Sequence, residues 1–196
     1  LSGDVGASKA LASLEVTAGD VTINTTGGGS QGDDLTVANP ITYTSGGGGS
    51  NALTLSASRN IFVNESLAST SGAMNVVFDA DGASNGLGAT IVTADQIDTN
   101  GGDFTANGVG VAFQSSTAQT VRSGGGTIAV NGEMSLRNSS GVTLNSGGGE
   151  ITVTGRVDSG NFYADSGGSS PWTTAISNYG GDGSEGTDGP LARLVL

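Results

Sequence analysis

Cysteine and histidine are both absent from this chain of 196 residues. Without cysteine there is no disulfide framework and no thiolate chemistry. Without histidine, imidazole-based acid–base catalysis is excluded. Positive charge is scarce as well. Six basic residues, Lys9, Arg59, Arg122, Arg137, Arg156 and Arg193, stand against 18 acidic ones, giving a net charge of −12. The six are scattered, so the clustered cations that nucleic acid or an anionic membrane surface requires are missing. No apolar run approaches the length of a membrane span, and no signal peptide is visible. Aromatics make up only 5% of the chain, too few to line a series of sugar subsites. The start at Leu1 rather than methionine leads us to expect a mature product or an excised fragment.

Glycine, by contrast, is abundant, at 36 residues. It has no collagen period, and it alternates with strings rich in Val, Ile and Leu, which argues against disorder. Apolar strings recur after turns: LTV from Leu35, LTL from Leu53, VVF from Val76, FTA from Phe104, IAV from Ile128 and ITV from Ile151. An earlier string, LEV, begins at Leu14. The interval from one string to the next is roughly 18–28 residues, the range of a structural repeat. The longest interval runs from Val76 to Phe104, and the shortest from Leu35 to Leu53. The best-matched trio, FTANG, IAVNG and ITVTG, places a glycine at the same point, Gly108, Gly132 and Gly155. A turn precedes each: Ile97 then DTNGG, Val121 then RSGGG, Leu144 then NSGGG. DGASNGLGA (81–89), inside the longest interval, reads as a loop insertion.

The strings VTI, LTV, ITY, LTL, VTL and ITV alternate apolar, Thr, apolar, the pattern of a strand with one buried face. Threonine, β-branched, suits the solvent side. Pro40 sits at a joint between LTV and ITY, and Pro171 and Pro190 lie near the end. Coils of this length, with two or three short strands and glycine turns, predict an all-β parallel β-solenoid of six to eight coils. One coil cannot bury its own inner face, so repetition is needed. An antiparallel β-sandwich also offers short strands with turns; the self-similarity of the repeats favours the solenoid. The repeat region is expected over 1–164. Residues 165–196, with Trp172 and two of the three prolines, are expected to form a cap or an inter-subunit contact. LARLVL (191–196) has the look of a strand completed elsewhere.

The opening, LSGDVGASKALASLEVTAGDVTINT (1–25), resembles a module of giant bacterial surface and secreted proteins, through Gly3, Val5, Gly6, Ala10, Leu11, Ser13, Leu14 and the strand Val21 to Asn24. The stretch 35–82 is similar to filamentous-haemagglutinin-type repeats, through Leu53–Leu55, Ala57, Asn60 and Ile61. The resemblance implies a right-handed β-helix in an adhesin-like or matrix-forming exported protein, at the cell surface or outside it. It brings no catalytic residues.

The carboxylate pairs Asp33/Asp34, Asp79/Asp81 and Asp95/Asp98 lie beside glycine turns, where acids are ordinary; no enzyme is expected. Calcium is the ligand these acids would best take. In DADGASNG, Asp79, Asp81 and Asn85 partly match an acidic calcium loop, without its bidentate glutamate. GGDGSEGTDG offers Asp182, Glu185 and Asp188. The bland reading of both is a solvated acidic turn. Tyr163, Trp172 and Tyr179 are candidate stacking platforms for cell-surface glycans, against the plainer reading of local core. Thr22, Thr36, Thr42, Thr54, Thr143 and Thr152 should point outward; only ITYT and ITVT have the T-x-T pattern of an ice-ordering face. The function expected is structural and adhesive: a stiff rod, or a subunit joined head to tail.

Overall fold

The computed structural model describes residues 9–11, 14–16, 19–25, 34–44, 51–82, 84, 86–136, 139–158 and 162–165. Every strand pair is parallel, and no helix occurs among these residues. The chain winds as a β-solenoid with three faces. Face one stacks β3 (Val21–Asn24), β6 (Asn51–Ser56), β9 (Met74–Asp79), the first halves of β12 (Phe104–Phe113) and β14 (Ile128–Ser135), and β16 (Ile151–Val153). Face two stacks β1 (Lys9–Leu11), β4 (Leu35–Val37), β7 (Ile61–Val63), β10 (Ala89–Val92), the second halves of β12 and β14, and β17 (Val157–Asp158). Face three stacks β2 (Leu14–Val16), β5 (Ile41–Thr44), β8 (Leu67–Ser71), β11 (Gln96–Asp98), β13 (Gln119–Arg122), β15 (Val142–Asn145) and β18 (Phe162–Asp165). From β3 to β16 the chain makes about five turns, fewer than the six to eight coils expected. The antiparallel sandwich is excluded.

Alternation sets the interior. On face one, Leu53, Val76, Phe104, Ile128 and Ile151 stand in one register and are all buried. Beside them run Leu55, Phe78, Ala106, Val130 and Val153. Phe78 stacks over the small Ala106, and its ring meets Phe104 edge-on with centroids 5.5 Å apart. Large over small lets neighbouring layers interlock at interior density. The intervals between strings from Leu53 onward are therefore true coil lengths on this face. The two earlier intervals, Leu14 to Leu35 and Leu35 to Leu53, are not. Leu53 pairs with Val21, Leu35 with Ile61, and Leu14 with Ile41. All three faces use the same apolar–Thr–apolar string, so the string alone does not say which face it occupies.

The corners explain the glycines. Gly108, Gly132 and Gly155 stack where face one turns into face two; a Cβ on Gly155 would lie 1.9 Å from the Gly132 carbonyl oxygen. The loop between Asp79 and Ala89 takes several residues for the turn that Gly108 makes inside β12, as an insertion would. Where face three returns to face one, an inner polar column replaces the apolar one: Ser69, Thr99, Ser123 and Ser146 are buried. Each hydroxyl donates to the carbonyl three residues ahead, Gly72, Gly102, Gly126 and Gly149 respectively. A buried hydroxyl needs such a partner, and here it closes the turn. The repeated SGGG strings are thus one turn built twice. Gln119, also buried, donates to the Val92 and Ala94 carbonyls at 2.9 and 3.0 Å.

Candidate functional site

The outward positions of face one form columns. The middle one reads Thr22, Thr54, Val77, Thr105, Ala129 and Thr152. Of the six threonines singled out above, Thr22, Thr54 and Thr152 share this column. Thr36 is on face two, and Thr42 and Thr143 are on face three. The six therefore do not make one ranked surface.

The adjacent column, Ser56, Asp79, Asn107, Asn131 and Thr154, is a polar ladder. Ser56 Oγ donates to Asp79 Oδ2 at 3.3 Å, Asn107 Nδ2 to Asp79 Oδ1 at 3.5 Å, and Asn131 Nδ2 to Asn107 Oδ1 at 2.9 Å. Asp79 is thereby tied to the coils on either side. Asp81 adopts a positive φ of 62° and its carboxylate accepts from the Gly86 amide at 3.0 and 3.2 Å, closing the inserted loop. Asn85, Asp182, Glu185 and Asp188 lie outside the described residues. Among the described residues no cluster of three acidic side chains forms that could hold a metal ion.

Asp34, Asp95 and Asp98 are held by close donors too. Asp34 receives Arg59 in a fork, Nε to Oδ1 at 2.9 Å and Nη2 to Oδ2 at 2.7 Å, and the Asn60 amide at 3.0 Å. Arg59, and with it the Asn60 amide, outweighs partial burial and lowers the Asp34 pKa below the usual carboxylate range. Sequence reasoning missed this pair; its signal is a spacing of one coil, which puts opposite charges at the same corner of successive layers. Asp95 accepts from Thr117 and Ser115, and Asp98 from the Asn100 amide, with Arg122 Nη1 3.9 Å away. Asp33 lies outside the described residues. Tyr163 stands on β18, and Trp172 and Tyr179 lie outside the described residues.

Face two carries a feature the sequence reading did not single out. Its outward column runs Thr36, Phe62, Ile91, Ala112 and Ser135. Beside it opens a shallow groove of about 370 Å³, lined by Leu87, Ala89, Val109, Ala112, Glu133 and neighbouring backbone. Leu87 is 71% exposed and Val109 51%. The available signals were a leucine inside an insertion otherwise made of small and polar residues, and a valine directly after a corner glycine. The chain matches no family model, no curated protein and no solved structure.

Proposed function

We propose that this chain is a non-enzymatic structural and adhesive repeat region of an exported bacterial surface or extracellular protein, acting as a stiff rod or stacking into fibres. One observation carries the reading. Parallel ladders link successive levels, with register shifts only at Tyr43/Thr44 and Asn107/Gly110 among the described pairings, and among the described residues β16, β17 and β18 pair only with the coil beneath them. Such an edge is a template for a further parallel strand. The seven strands of face three span only about 29 Å at about 4.8 Å per step. Stiffness over a useful length therefore requires the ladder to continue, into more of a longer polypeptide or into a second copy joined head to tail. The turn-bound and ladder-bound carboxylates fit a scaffold better than a reaction centre. The acidic surface, with few cations, suits solubility outside the cell and contact with neutral glycans.

Negative-stain electron microscopy across a range of concentrations tests this. Filaments of uniform width that lengthen with concentration are expected. Compact particles at every concentration, from a chain known to contain no further repeats, would overturn the reading.

A further inference from the structure

Two corners of face one carry the same dipeptide, Asn107–Gly108 and Asn131–Gly132. The stack fixes each half of it. A Cβ on Gly132, which has φ +138°, would lie 2.4 Å from the Gly108 carbonyl oxygen, so the corner needs glycine. Asn107 and Asn131 serve the polar ladder, whose donors all run one way. Thr154 Oγ1 donates to Asn131 Oδ1 at 3.4 Å, Asn131 Nδ2 to Asn107 Oδ1 at 2.9 Å, and Asn107 Nδ2 to Asp79 Oδ1 at 3.5 Å. The run of donors ends on Asp79, which also accepts from Ser56. A carboxylate at 107 or 131 would have nothing to donate toward Asp79.

Asparagine is among the chemically labile residues, and a following glycine, with no Cβ to hinder rotation, makes it more so. The glycine nitrogen attacks the asparagine Cγ, the Cγ–Nδ2 bond breaks, and ammonia leaves a cyclic succinimide. Water then opens the ring to aspartate, or to isoaspartate, in which the main chain runs through the side chain. Closure requires the Asn–Gly peptide to rotate until its nitrogen faces Cγ. In the coil that rotation is blocked. Both asparagines stand in extended strands, and the Asn107 carbonyl accepts from the Ala80 amide at 3.2 Å. The side-chain nitrogen that must leave is bonded to the coil beneath. We propose that Asn107 and Asn131 are latent deamidation sites, which the stacked coils hold shut and which convert when the corner opens. Conversion damages the stack. An acid at 107 sets two carboxylates against each other where the amide now meets Asp79. Isoaspartate adds a main-chain atom at a corner with no room for one.

The full chain is incubated in mildly alkaline buffer, folded or in urea, and conversion at each residue is followed by peptide mass spectrometry. Conversion at both should be at least about tenfold slower in the folded chain, because it waits on local opening. Equal rates in the two conditions would overturn the proposal. The damage is read on N107D, which carries the charge of the product, against N107S, which loses the amide without gaining a charge. N107D should melt about 2–4 °C below N107S, as like charges on neighbouring strands repel. Equal melting temperatures would overturn the claim that conversion damages the stack.

Discussion

The third glycine of each GGG turn should be far less replaceable than the second, for reasons of stacking rather than of turn conformation. Gly125 and Gly126 are adjacent, which makes them a matched pair. Gly125 has φ +123° and open space around a hypothetical Cβ. Its replacement by alanine strains the backbone alone, costing about 1–2 kcal/mol. A Cβ on Gly126 would lie 2.2 Å from the Gly102 oxygen and 2.4 Å from the Gly102 carbon, both backbone atoms of the coil beneath. Carbon and carbonyl oxygen rest at about 3.3–3.6 Å, so the coils must part by about 1 Å. That stretches ladder bonds such as Phe104 N–H to Thr127 O, now 2.9 Å, past useful length. Two such bonds at about 1 kcal/mol each and overpacking at about 1–3 kcal/mol give about 4 kcal/mol. At about 2–4 °C per kcal/mol for a domain of this size, G125A should lower the melting temperature by about 2–8 °C and G126A by about 8–16 °C, read by far-ultraviolet circular dichroism. The same order should recur one coil on, since Gly148 is open and a Cβ on Gly149 meets the Gly126 oxygen at 2.0 Å. Equal losses within each pair, or a larger loss at the second glycine, would refute the stacking argument.

Asp34 has a depressed pKa in the folded chain, so its contribution is present above the ordinary aspartate value of about 3.9 and lost as pH falls through the lower folded value. D34N should cost about 0.5–1 kcal/mol at pH 7, since Arg59 is half exposed. The gap should close in melting curves taken well below pH 3.9; a gap constant with pH would refute the pairing. S123A leaves the Gly126 carbonyl without its hydroxyl donor and should cost about 1–2 kcal/mol in urea unfolding, whereas no loss would show the inner column to be incidental. F104A removes a fully buried ring packed on Phe78 and should cost about 3–5 kcal/mol in the same assay. A loss below about 1 kcal/mol there would mean the interior is not close-packed.

Strand positions were legible because period-2 alternation reports directly on which side chains face inward. Leu53, Val76, Phe104, Ile128 and Ile151 fell into register from sequence spacing alone, and the corner trio Gly108, Gly132 and Gly155 identified the stacked turn. The first coil was not legible. Leu14, Leu35 and Leu53 head interchangeable strings, and only the three-dimensional pairing assigns them to faces three, two and one. Assigning strings to coils as if they shared a face shortens the early repeats and inflates the coil number. The inner column of Ser69, Thr99, Ser123 and Ser146 was hidden because a hydroxyl before glycines is also an ordinary turn residue. The candidate site was less legible still. Asp79 and Asp81 looked like ligands by spacing, yet a strand-borne side chain and one at a positive φ serve different partners. The groove arises from Leu87 and Val109, nearly a whole coil apart in the chain, meeting across a corner.

The measurement that bears most directly on the three-faced parallel coil is a spin-label distance between T54C and T152C. These outward positions share one column of face one, four strand steps apart through Val77, Thr105 and Ala129. At about 4.8 Å per step their backbones stand about 19 Å apart, and pulsed electron–electron double resonance should give a single narrow distribution near about 20 Å, allowing for the label arms. A distribution centred beyond about 30 Å, or a broad one, would contradict the coil and its register.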